Sequence, residues 1–355
     1  MIIHLLLSEY MYKEKILLFF FLRLGYSGAI KRKGDAMELS FAPMEGITYS
    51  IYRRLHARMF PGADRYFAPF IAPDSSGRFK AGSLRDVLPE NNAGLPLIPQ
   101  LLCNAPAPFL AVAEELRELG YEEVNLNTGC PSGTVVAKHK GAGMLGDPAQ
   151  LDACLAEIFS RCPLRVSVKT RLGLHSAGEF PAILAVYRKY PLSRLIVHVR
   201  DRDGMYRSVP DREAFAPALD CPFPVEYNGD IFTPPDLASL RARYPALQAV
   251  MLGRGAVTNP ALFRQLRGGR ALSSSELQDF HDRLTEAYLS DGLAPHYTVS
   301  RMKELWFYQR CLFPGGEREM RAILKAKSLP DYRCAVAALF REVPLDPGAG
   351  FRNPG

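Results

Sequence analysis

The chain has 355 residues, 48% of them hydrophobic, and a formal net charge of +7; this is enough apolar material for one large core and a smaller second one, and excludes a disordered or fibrous chain. Its seven cysteines form no Cys-x-x-Cys pair and no Cys/His cluster at metal-ligand spacing. That argues against a disulfide framework and against any bound metal, and fits a reducing compartment, the cytoplasm.

Residues 1–36 read differently from the rest. The apolar run 16–22 is too short to span a bilayer, is flanked by Lys13, Lys15 and Arg23, and precedes no small-residue cleavage site, so neither a membrane anchor nor an export signal is expected. The folding pattern begins at Met37, and 1–36 is expected to be translation from a misplaced upstream start. This leader holds six Lys/Arg against three Asp/Glu and leaves about +4 for the remainder, too little by itself to indicate a nucleic-acid partner.

From residue 37 to about 270, short apolar or β-branched runs alternate with helical patterns. Eight strands are predicted, at 39–42, 65–69, 97–101, 123–127, 165–170, 195–199, 224–227 and 249–252, with helices such as 107–119, 151–161 and 180–190 between them. Eight βα units in this order predict an α/β fold of the TIM (β/α)8 barrel type. From 271 the alternation stops. Ser273-x-x-Glu276 has the form of a capping box, and Leu277, Phe280, Leu284 and Tyr288 share one helix face. Further helices at 298–312, 317–327 and 331–341, with breaks at Pro314-Gly-Gly316 and Leu329-Pro330, predict a small helical bundle over 271–345 followed by a frayed tail, 346–355. Residues 301–341 carry nine Lys/Arg against four acids, either a phosphate-contact surface or an ordinary solvated helix face.

Barrel chemistry gathers at the C-terminal ends of strands. Here those ends are polar almost throughout: Pro43-Met44-Glu45, Gln100, Asn127 with Cys130 beyond, Lys169 with Arg171, His198 with Arg200, Asn228-Gly229-Asp230, and Gly253-Arg254-Gly255. One such residue could be a satisfied structural group, but a ring of them would leave unpaired polar atoms unless a polar ligand met them. The glycines after the last two strands let backbone N–H groups approach a phosphate, and Arg254 supplies a positive partner. Gly141-Ala-Gly-Met-Leu-Gly146 matches a dinucleotide fingerprint in letters only, because no strand precedes it and no acid follows at the required distance.

Ala42-Pro-Met-Glu-Gly-Ile-Thr48, Asn127-Thr-Gly-Cys-Pro-Ser-Gly-Thr-Val135, Val168-Lys-Thr-Arg-Leu-Gly173, His198-Val-Arg200 and Asn228-Gly-Asp230 together resemble the tRNA-dihydrouridine synthase family. The resemblance spans about 37–341. It implies a tightly bound FMN reduced by NADPH or NADH, tRNA as substrate, a monomer, and reduction of uridine to 5,6-dihydrouridine. Pro43, Met44 and Glu45 would lie against the flavin, Gln100 on its polar edge and Lys169 beside its reduced, anionic side. His198, Asn228, Gly229, Asp230, Gly253 and Arg254 would hold its ribityl phosphate. Asn127 would face the target uracil, Arg171 and Arg200 would contact the flipped nucleotide or the flavin, and Cys130 would act as general acid. Where many members carry His-x-Arg-Thr, this chain continues Asp201-Arg-Asp-Gly-Met-Tyr206, which leaves the roles of Arg200, Arg202 and Tyr206 and the identity of the target uridine open. Two rival readings are a barrel aldolase with Lys169 as Schiff-base lysine, which gives Cys130 and Gln100 nothing to do, and a catalytically silent RNA-binding protein.

Overall fold

A computed structural model describes residues 37–74, 77–205 and 208–353. The expectation about 1–36, and Tyr206, fall outside the described residues. Residues from Met37 onward form one compact unit.

All eight expected strand positions are occupied: β1 Glu38–Phe41, β2 Arg65–Phe67, β3 in two pieces (Leu97–Ile98 and Gln100–Leu101), β4 Glu123–Thr128, β5 Arg165–Arg171, β6 Arg194–His198, β7 Val225–Asn228 and β8 Ala249–Leu252. Each pairs in parallel with its sequence neighbour, and β8 returns to β1 with Phe41 opposite Leu252. β3 joins the two ends of the ring, because Ile98 pairs with Phe67 while Gln100 pairs with Asn125. The interruption falls at Pro99, which has no N–H to give to a ladder; its carbonyl still accepts the Asn125 N–H at 2.9 Å. The result is the predicted (β/α)8 barrel. At its N-terminal end Arg194 donates to both carboxylate oxygens of Glu38 at 2.9 Å and faces the buried Glu226 at 3.5 Å, so polar groups close the end away from the strand tips.

Helices α1 Ser50–Met59, α2 Pro106–Glu118, α3 Pro148–Arg161, α4 Phe180–Tyr187 and α5 Pro234–Arg243 lie between strands. α3 shows the local logic. Asp147 caps it by accepting the N–H groups of Ala149 and Gln150, Pro148 occupies the first turn, and Leu151, Cys154, Leu155 and Ile158 recur at the spacing of a single buried face. Burying each leucine or isoleucine there contributes about 1.5–3 kcal/mol, and losing the cap costs about 1 kcal/mol.

Four helices follow: α6 Ser274–Ser290, α7 Pro295–Gln309, α8 Glu317–Lys325 and α9 Leu329–Glu342. The Ser273–Glu276 capping box forms as expected. Leu329-Pro330 is not a break. Ser328 caps α9 by accepting the Asp331 N–H, and Pro330 sits in the first turn, where a missing N–H costs nothing. The bundle continues the barrel's packing: Phe280 of α6 meets the rings of Tyr52 at 5.5 Å and Phe60 at 5.4 Å, and Gln309 of α7 donates to the Val257 carbonyl at 3.1 Å.

The chain beyond Pro344 does not fray up to its last described residue. The Asp346 N–H reaches the Leu312 carbonyl at 2.8 Å, Asn259 donates to the Pro347 carbonyl, and Phe351, only 6% exposed, packs on Phe232, Phe307 and Tyr308. A single buried aromatic anchors a segment whose Pro/Gly composition gave no sign of it. No helix among the described residues is long and apolar enough to cross a membrane.

Candidate active site

At the C-terminal ends of the strands lies a cavity of about 280 Å³ that brings together Pro43, Met44, Glu45, Asn127, Cys130, Lys169, Arg171, His198, Asn228, Gly229, Asp230, Gly253 and Arg254. A chain of amides fixes one wall. Asn125 donates to Ser167 at 2.9 Å, Gln100 to Asn125 at 2.7 Å, and Asn127 to Gln100 at 2.7 Å. The Asn127 oxygen then accepts the backbone N–H groups of Gly129 and Cys130, an Asx turn that folds the loop back over the strand end. Register makes the chain possible, since Gln100, Asn125 and Ser167 stand side by side on adjacent strands.

Cys130 is half-buried. Its loop is backed by the glycine-rich segment Gly141–Gly146, a 3-10 helix in which Gly141 adopts φ +55° and a Cβ would lie 2.9 Å from both Cβ and O of Cys130. The letters that mimic a dinucleotide fingerprint are therefore a close-packed support. Burial is the largest influence on the thiol and pushes its pKa up, against the pull of the Ser132 N–H and the charge of Arg171. The thiol holds its proton at neutral pH.

Lys169 faces the cavity but is surrounded by protein, and this desolvation, with Arg171 beside it, lowers its pKa to about 7 despite the opposing pull of Glu226. Burial together with the charges of Arg171, Lys169, Arg200 and Arg254 holds His198 well below its ordinary pKa, as a neutral imidazole. Burial raises Glu45, against the hydrogen bond it accepts from Tyr49 at 3.0 Å. The cavity thus brings a half-buried thiol together with a neutral imidazole and a lysine whose charge is suppressed by burial.

The opposite wall suits a phosphate-bearing group. Asp230 ties Arg254 at 2.5 Å and Arg200 at 2.6 and 3.0 Å. Gly229 admits no side chain, since a Cβ would sit 2.6 Å from the Tyr227 hydroxyl, and at Gly253 it would press on the Met44 sulfur at 3.1 Å. Backbone N–H groups at these two turns can approach a ligand that bulkier residues would hold away.

Two expected contacts are not on the lining. Gln100 donates to Asn125 and accepts from Asn127, so off the lining it helps to fix Asn127. Arg200, 3% exposed, spends its guanidinium on Asp230 and the Ser208 carbonyl and supports the wall from behind. Arg171 lines the cavity while clasping the Gly129 and Asp201 carbonyls at 2.8 and 2.9 Å, which links the Cys130 loop to the one after β6. Lining residues that sequence reasoning missed include Pro69 and Phe70, after an apolar strand end, Ile231 and Phe232, after Asp230, and Tyr308, which α7 contributes. Of the basic residues in 301–341, Arg301 donates to the Gly46 carbonyl, Lys303 to the Ala326 carbonyl, and Arg318 pairs with Glu319 and Glu342. Arg321, Lys325 and Lys327 are exposed.

The family model for dihydrouridine synthase (Dus) matches residues 40–289. The chain is 31% identical over 282 residues to a tRNA-dihydrouridine(16) synthase of Pseudomonas putida, a match covering 76% of this chain and 86% of that one. It is 26% identical over 305 residues to a probable tRNA-dihydrouridine synthase 2 of Bacillus subtilis, covering 80% and 91%. A solved 2-naphthoyl-CoA reductase complex shares the barrel at a TM-score of 0.50 and 10% identity, over 66% of this chain and 50% of that one.

Proposed function

Because this chain belongs to the dihydrouridine synthase family, we propose that it is a tRNA-dihydrouridine synthase that reduces the C5–C6 double bond of specific tRNA uridines, with FMN as bound cofactor and NADPH or NADH as the source of electrons. The observation that carries the mechanism is a half-buried thiol, Cys130, on the same cavity as Arg254 with two glycine turns and a buried lysine. Bound and reduced, FMN supplies a hydride to C6 of the uracil.

The residues of the chain do the rest. Asn228, Gly229, Gly253 and Arg254 would hold the ribityl chain and phosphate, with Asp230 orienting Arg254, while Pro43, Met44 and Glu45 would flank the ring. Lys169, cationic once an anion shares its pocket, offsets negative charge there. As hydride arrives at C6, charge develops at C5 and O4 of the uracil, and Cys130 delivers its proton to C5; the thiolate is then reprotonated from water. Asn127 holds the Cys130 loop and Arg171 locks it to the neighbouring loop, so the donor meets the base in one orientation. The target base must leave the RNA stack to enter, and the exposed basic residues of α8 and beyond supply phosphate contacts. The aldolase reading would suit a lysine with a pKa near 7, but family membership leaves it no support.

The direct test is to map dihydrouridine in tRNA from a strain lacking this protein and to restore it with the wild-type chain or Cys130→Ala. Loss of defined sites that only the wild type restores supports the proposal; an unchanged dihydrouridine map overturns it.

A further inference from the structure

We propose that Phe351, near the C-terminus, is a positioning residue for the cofactor phosphate, holding Arg254 together with the adjacent ring of Phe232. The Arg254 guanidinium carbon lies 5.1 Å from the centre of the Phe351 ring and 5.5 Å from that of Phe232. The two rings are themselves 5.8 Å apart and tilted by 53°. The cation therefore rests against a pair of adjoining aromatic rings while Asp230 holds one of its nitrogens.

The last residues of the chain are built to present this ring. The Asp346 N–H is tied to the Leu312 carbonyl and the Pro347 carbonyl to Asn259, which sits just beyond the short helix Arg254–Thr258. Past the ring, the Arg352 N–H points to the Cys311 sulfur at 3.3 Å. Close packing also fixes the approach, since a Cβ on Gly350 would lie 3.1 Å from the Phe232 Cβ. On its other side Phe351 meets Tyr308, which lines the cavity. The segment lies beyond the residues matched by the family model, which end at 289.

An arginine is weakly hydrated and has many side-chain rotamers; contact with two adjoining aromatic rings restricts that freedom before a ligand arrives. A phosphate then meets a guanidinium already oriented, and binding does not have to order it. The inference rests on the reading of FMN as cofactor, and it makes a distinction that reading alone does not: Phe351 matters to the phosphate and not to the flavin ring.

The experiment uses full-length protein stripped of flavin and titrated with FMN and, separately, with riboflavin, following the quenching of flavin fluorescence. Phe351→Leu is expected to weaken FMN binding roughly tenfold and leave riboflavin unchanged, while Phe351→Tyr, which keeps the ring, binds FMN as the wild type does. The thermal midpoint of the flavin-free Leu variant is compared with wild type, and the Tyr variant serves as the folded reference if it falls. Equal FMN affinity in Phe351→Leu and wild type, or equal losses of FMN and riboflavin, would overturn the assignment. Wild-type protein that binds neither flavin brings down the cofactor reading itself, and this inference with it.

Discussion

The side-chain oxygen of Asn127 lies 2.8 Å from the backbone nitrogen of Cys130 and accepts its hydrogen bond, so the position of the thiol is set by an amide on the strand that precedes it. The same oxygen holds Gly129 at 2.9 Å. Asn127→Ala removes the one oxygen that accepts both N–H groups and leaves the Gln100 oxygen without its donor, at a cost of about 1–3 kcal/mol. The expected kinetic result is a selective one: NADPH reduces the bound flavin at the wild-type rate, while oxidation of the reduced enzyme by tRNA slows roughly 10- to 100-fold. Stopped-flow measurement of the two half-reactions checks it, and equal slowing of both would refute a role confined to the thiol.

Cys130→Ala is expected to keep flavin and NADPH oxidation and to slow dihydrouridine formation by about 10²-fold or more. The pH profile gives a second readout. Because burial raises the thiol above its ordinary pKa, the acid form persists through neutrality and the tRNA half-reaction should decline only on the alkaline side. That limb is absent from whatever rate the alanine variant retains.

Lys169 supplies a stability test whose sign can be worked out. Its pKa of about 7 lies below the ordinary 10.5, so between those values the unfolded chain carries a proton that the folded chain has released. Folding is therefore penalised fully below pH 7, and stability rises with pH across the window from 7 to 10.5. Lys169→Met removes the penalty. Thermal denaturation of flavin-free protein should show the variant several degrees more stable than wild type at pH 6, with the gap closing toward pH 10, although the variant loses flavin reduction. A variant less stable at pH 6 contradicts the assigned pKa.

Asp230 is the hub of the phosphate wall, and Asp230→Ala leaves the buried Arg200 without its carboxylate. A loss of about 3 kcal/mol is expected from denaturant melts. Asp230→Asn, which can still accept from one arginine, should recover part of it.

Arg321→Glu should weaken tRNA binding and flatten its dependence on salt, because log affinity against log salt loses about 0.7–0.9 in slope for each phosphate contact removed. Lys303→Glu disturbs the cap it gives the Ala326 carbonyl, and its effect should appear first in thermal stability. Filter binding at several salt concentrations separates the two.

Much of the barrel was legible because parallel strands are buried runs bounded by polar tips, and those tips are where Lys169, His198 and Arg254 were found. Contacts made across the sequence were not. Gln100 and Arg200 stand at strand ends as a ligand contact would, yet they are hydrogen-bonded to Asn125 and Asp230, and no spacing in one strand reports what the next strand offers. Tyr308 and Phe351 belong to segments with no strand end at all. Leu329-Pro330 was misread as a break because proline ends a helix from within but starts one from its first turn.

The ring of Phe280 against Tyr52 and Phe60 has a practical consequence for dissecting this protein. A chain cut near residue 270 would uncover a contiguous aromatic face on α1, and the excised helices would carry the matching one. Neither fragment has another surface to bury it on, so both are expected to associate or aggregate during expression. RNA recognition and catalysis must then be separated by point substitution, in the intact polypeptide.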